Sequence, residues 1–145
     1  MIPVINPKDV TTDAPAGREI RRGFYFNAGF FTQSRVRRIV ELAGYDLKLG
    51  KPSEHDDVLV WGHSPYAARG EKVAEATKAR LVRVEDAFLR SLFPGRAGEP
   101  PIGLSIDRKG AFFDSRQASE LEDILANHPL DDTALLNRAR DAALR

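Results

Sequence analysis

The stretch DDVLVWGHSPYAARGEKVAEATKARLVRVED, residues 56–86, decides the fold. It opens on Val58-Leu59-Val60-Trp61, an apolar run without a polar interruption, as in a parallel-sheet strand covered on both faces. Pro65 follows where a first helical turn tolerates a missing amide hydrogen. Ala67, Ala68, Val73, Ala74, Ala76 and Ala79 then give that helix a face of small residues. Leu81, Val82 and Val84 supply a second apolar run in RLVRVED, residues 80–86. Strand, helix and strand within about thirty residues is the unit that connects parallel strands.

Working outward, RRGFYFNAGFF at 21–31 offers a β-prone run at Gly23–Phe26 and an Asn-Ala-Gly turn. Val36, Ile39, Val40 and Ala43 recur at i, i+3, i+4 and i+7, which predicts a helix with Thr32 or Ser34 as its cap and Gly44 as its stop. YDLKLG at 45–50 alternates as a short strand before Lys51-Pro52. The order βαββαβ predicts an α/β fold, a mostly parallel sheet flanked by helices. Beyond the Gly/Pro loop PGRAGEPP (94–101), IGLSIDRKGAFFD (102–114) reads as a β-hairpin around Arg108-Lys109-Gly110. Ser119 and Glu122 match a capping box, with Leu121, Ile124 and Leu125 as the buried face of its helix. His128-Pro129 ends that helix, and a last one is predicted from about Thr133 to Leu144. Residues 1–17, with three prolines and no sustained period, read as a loosely ordered leader, and 18–145 as a single domain.

Apolar residues at 42% and charged residues at 30% of a 145-residue chain fit a folded, water-soluble domain. A net charge of +1 gives no global electrostatic case for nucleic acid, so none is expected as a partner. Residues 18–38 nevertheless carry six arginines against Glu19 alone, either a solvated face or a surface for phosphate, anionic lipid or acidic sugar. The absence of cysteine excludes disulfides and Cys-based zinc sites, and His55, His63 and His128 lack ligand spacing, so no metal is expected. No apolar stretch approaches the ~20 residues that span a bilayer. The expected location is cytoplasmic, at most peripheral to a membrane.

Three constellations fall at predicted strand ends, where α/β proteins hold their ligands. Asn27-Ala28-Gly29 is either an anion-accepting turn or a plain tight turn. Trp61-Gly62-His63-Ser64-Pro65 with Arg69 suits a sugar, whose ring stacks on an indole while its hydroxyls take polar partners. Equally, Trp61 is core and Ser64 a helix cap. Glu85, Asp86 and Arg90 offer carboxylates and a planar cation to an anionic substrate, or else cap and pair with one another. The functional reading requires Trp61, Glu85, Asp86 and Arg90 to share one hollow at the carboxyl edge of the sheet. Adjacent carboxylates point apart, and no Ser/His/Asp arrangement is assignable, so no catalytic residue is named.

The string VLVWGHSPYAARGEKVAEATKARLVRVEDAFLRSLFPG, with PPIGLSIDRKGAFFD and ASELEDIL after it, resembles the N-terminal part of the capsule polysaccharide biosynthesis and export family. The matching elements are WG-x-x-P with Arg69, the E-D-x-F-L-R-S run at Glu85–Ser91, Ser105 and Asp107, Phe113-Asp114, and S-x-L-E at Ser119–Glu122; E-D-x-F-L-R-S is the specific one. The best-understood members are retaining β-Kdo glycosyltransferases. The resemblance implies one Rossmann-like lobe of a two-lobed, GT-B-like enzyme, with CMP-Kdo as donor, no further cofactor, and a Kdo glycolipid acceptor at the inner membrane. It also implies as partner a second Rossmann-like half, whose motifs nothing here matches, or else capsule assembly proteins. Under it, Trp61, Gly62, Ser64, Arg69, Glu85, Asp86, Arg90 and Ser91 bind substrate, and the reading of the first turn adds Asn27 and Gly29. The competing expectation is a non-catalytic carbohydrate or nucleotide-sugar binding module, or an assembly component of the capsule machinery.

Overall fold

The computed structural model describes residues 19–144, so the leader expected at 1–17 lies outside the described residues. The region expected as one domain, 18–145, divides into two compact units, one ending at Ile106 and one starting at Asp107.

In the first unit the chain forms β1 (Arg21–Tyr25), a single turn α1 (Gly29–Thr32), α2 (Ser34–Leu42), β2 (Tyr45–Lys48), β3 (Asp57–Trp61), α3 (Ala67–Thr77), β4 (Arg80–Asp86) and all but the last residue of β5 (Leu104–Asp107). The sheet order is β2-β1-β3-β4-β5, and β1 pairs in parallel with both β2 and β3, as β3 does with β4. The apolar run at 57–61 is therefore central: Asp57 to Val60 are all buried.

Alternation of side chains along each strand builds two cores. On one face Phe30, Val36 and Val40 from α1 and α2 pack on Tyr25, Tyr45, Leu59, Val82 and Val84. On the other, Ala67 and Ala74 of α3 pack on Phe24, Val58 and Val60. The small-residue face of α3 brings its backbone close to the sheet: a Cβ on Gly70 would stand 2.5 Å from Val60 Cγ1.

Neither expected cap of α2 acts as one. Gln33 occupies the N-cap without a side-chain bond, and the Thr32 hydroxyl donates instead to Ala28 O, because the chain makes the extra turn α1 first. The Gly44 stop forms as expected, its amide donating to Glu41 O. Part of the basic segment is also spent at the amino edge of the sheet. Arg22 Nε lies 2.7 Å from the buried Asp56, whose other oxygen accepts from Ser53 N and Oγ.

In the second unit the expected hairpin has no return strand among the described residues. The buried Asp107 carboxylate explains this. One oxygen accepts from the Lys109 and Gly110 amides and the other from the Glu120 amide, so the chain wraps around the carboxylate instead of running back. Asp107 thus binds the first amide of α4 (Glu120–Asn127), which Ser119 and Glu122 cap with the expected box. Asp132 caps α5 (Thr133–Ala143), and neither helix contains a buried residue.

Candidate functional site

The chain leaves β1 through α1 and α2 on one face of the sheet, and leaves β3 through α3 on the other. The gap between β1 and β3 is therefore where the strand order reverses, and there a crevice opens at the carboxyl ends. Two hollows occupy it and share Phe26, Asn27, Ala28 and Arg69. The first, about 450 Å³, is completed by Tyr25, Phe31, Leu49 and Gly50. The second, about 460 Å³, is completed by Pro65 and Tyr66.

Arg69 stands on the first turn of α3 because Pro65 and Tyr66 set the start of that helix. Its guanidinium carbon lies 5.8 Å from the centroid of the Phe26 ring. The residue is exposed and has no ion-pair partner among the described residues. A cation held over an aromatic face, between mostly apolar walls, fits a ligand that carries an anionic group on an apolar or ring-shaped body.

Asn27 lines both hollows while its Oδ1 accepts the Gly29 amide at 2.9 Å. That amide is thereby satisfied within the turn. Trp61 is partly buried, edge-on to Phe30 at 6.1 Å, and packs on the α1/α2-side core. Gly62 is buried at φ 45°, a left-handed conformation, with its amide on Val84 O and its carbonyl accepting from Arg83 Nη1. Ser64 does not cap α3: the helix starts after Tyr66, and the Ser64 hydroxyl oxygen is buried without a partner.

The sheet divides the set expected around one hollow. Trp61 lies opposite Val84, so Asp86, two residues on, shares their face, whereas Glu85 projects to the α3 face like Arg83, which pairs with Glu71 of α3. Burial raises the Glu85 carboxyl above its ordinary pKa, and the neighbouring Asp86 charge adds to the rise, against the Asp86 amide and His63. Asp86 accepts from Arg90 Nε at 2.7 Å. Arg90 Nη1 donates to Ser91 Oγ and to Glu99 O, each at 2.8 Å, and the Ser91 hydroxyl donates to Phe93 O. Asp86, Arg90 and Ser91 are brought together as the clasp of one loop. Phe26, Phe31, Leu49, Gly50 and Tyr66 were not foreseen from the sequence. Their only signal is position after β1, β2 and β3, and it becomes readable once the strand order is known.

Among the described residues, no group of three or more metal-ligating side chains could hold a metal ion, and no helix is long and apolar enough to cross a membrane.

An open, doubly wound sheet with its crevice at the reversal of strand order defines a Rossmann-like α/β lobe. The chain belongs to the capsule polysaccharide biosynthesis protein family, whose pattern it matches over residues 56–141. It is 36% identical over 87 residues to the capsule polysaccharide modification protein LipA of Neisseria meningitidis, and 35% identical over 83 residues to the lipopolysaccharide-processing protein LpsZ of Rhizobium meliloti. Those segments are 59% and 57% of this chain, but 12% and 19% of the relatives. In fold it is similar to the Thermosulfurimonas dismutans KpsC, a beta Kdo 2,4 transferase, with a TM-score of 0.69 at 22% identity, over 86% of this chain and 38% of that one. The shared architecture is a five-stranded, mostly parallel α/β sheet flanked by helices.

Proposed function

We propose that the chain is the acceptor-side lobe of a capsule polysaccharide β-Kdo glycosyltransferase, which moves Kdo from CMP-Kdo to a glycolipid acceptor when joined by a second Rossmann-like half. The observation that carries this reading is Arg69, an unpaired cation over Phe26 between two hollows at the reversal of strand order. Kdo is an acidic sugar. Its carboxylate would meet the planar guanidinium, and its ring would lie against Phe26 and Tyr66. This lobe holds and orients the acceptor, while the groups that assist departure of CMP belong to the other half.

Binding of a soluble Kdo glycoside, followed by calorimetry or by amide shifts of the Phe26–Ala28 turn, tests the assignment. Loss of a charge-assisted pair predicts that Arg69→Ala weakens binding about 10- to 100-fold, with Arg69→Lys in between. Unchanged affinity in Arg69→Ala would refute the site. Turnover that needs both halves supports the enzyme reading; binding without turnover under any pairing favours a non-catalytic carbohydrate-binding module instead.

A further inference from the structure

Residues 87–103 leave the carboxyl end of β4 and return to β5, presenting large apolar side chains to water: Leu89 is 83%, Leu92 87% and Phe93 59% exposed. A slack loop would fold such groups inward, but this one is fastened. Arg90 O accepts from the Ile102 amide at 2.6 Å, and the Arg90 guanidinium ties together Asp86, Ser91 and the Glu99 carbonyl. The apolar tip is therefore displayed by construction.

Its rim is cationic. A hollow of about 430 Å³ between the loop and the start of α2 is lined by Arg35 and Arg90, with Glu99 as its carboxylate. Arg38 follows Arg35 at i+3 on the same side of α2, and Arg96 stands on the loop itself. Arg35, Arg38 and Arg96 are exposed without ion-pair partners among the described residues, whereas Arg37 is matched by Glu41. Phe88 and Ile102 of the same loop are also exposed, at 78% and 64%. The loop's apolar side chains are enough for shallow insertion at a lipid surface, where leucine and phenylalanine enter the acyl boundary and arginines meet anionic headgroups. We propose that this loop, with Arg35, Arg38 and Arg96, docks the lobe on an anionic lipid bilayer. The inference does not depend on the acceptor reading, since none of these residues lines the Arg69 hollows.

Flotation with phosphatidylcholine vesicles, with and without phosphatidylglycerol, is the test. The full chain is expected to float only with phosphatidylglycerol vesicles and to be released by salt. Leu92→Ser/Phe93→Ser should weaken partitioning about tenfold or more, and Arg35→Glu/Arg96→Glu should abolish the preference for anionic vesicles. These positions are exposed, so far-UV circular dichroism should be unchanged. As a second readout, the indole of Leu92→Trp should be quenched by brominated lipid, while the parent protein, with Trp61 alone, should not. The proposal is overturned if the parent chain ignores anionic vesicles, or if the serine variant floats equally well. A dimer in solution that the serine variant dissociates would also overturn it, assigning the tip to a second copy of the chain.

Discussion

Gly70 sets how closely α3 lies on the sheet. A methyl group there would overlap Val60 Cγ1, and crowding in a packed core costs about 1–3 kcal/mol, more than the roughly 1 kcal/mol that alanine gains over glycine in a helix. Gly70→Ala should therefore lower the urea midpoint in the natural background but raise it when Val60 is also alanine; a shift of the same sign in both would show that the contact does not govern the site. Glu85 makes a different prediction. Its folded carboxyl titrates above its unfolded value because burial disfavours the charge. The unfolded chain then ionises first, so the group costs stability above its unfolded pKa, with the full cost reached once pH has risen through the folded pKa. Glu85→Gln should raise the melting temperature at neutral pH and leave it unchanged near about pH 3, where both states are protonated. At this scale the sequence was informative about chemistry. Arg69 and the pairing of Arg90 with an adjacent acid were both legible, since charge and spacing suffice to suggest them.

Loops and junctions depend on single polar side chains that tie several backbone groups. Arg90 uses its planar fork to bind Asp86, Ser91 and the Glu99 carbonyl, and a Cβ on Gly95 would lie 2.5 Å from Arg90 Nη2. Both members of the ion pair are partly solvated, so screening limits its worth, and Arg90→Ala should cost about 1 kcal/mol overall. The larger effect is local: proteolysis within 88–100 should rise several-fold, and Arg90→Lys should not restore protection because one ammonium cannot reach all three acceptors. Loss of sugar binding with the loop still protected would instead return Arg90 to the substrate. The hairpin read at 102–114 failed for a related reason. Strand-like composition flanked a good turn, but the three amides held by Asp107 outcompeted a return strand, and no local pattern announces that an aspartate will be buried. The capping box at Ser119 was readable because both of its partners lie within four residues.

Across the first unit, β3 is the strand on which both cores rest. Leu59 is wholly buried and lies over the space that Gly23 leaves, and Leu59→Ala should cost about 2–5 kcal/mol, measured as the fall in unfolding free energy in urea. A cost below about 1 kcal/mol would mean the two faces are not one cooperative unit. Sequence alone determined the order βαββαβ of residues 21–86 and the helices at 120–127 and 133–143, because period, capping and turn chemistry act between neighbours a few residues apart. It also carried the family, through a run of residues that can be matched without coordinates. Only the tertiary structure decided that β1 and β3 lie side by side with their helices on opposite faces. That adjacency opens two hollows beside Arg69 and Phe26 at the carboxyl ends of the strands. The physical reason is that strand pairing joins residues distant in the chain, and what selects it is the burial of both faces at once, a property of the assembled sheet that no single segment contains.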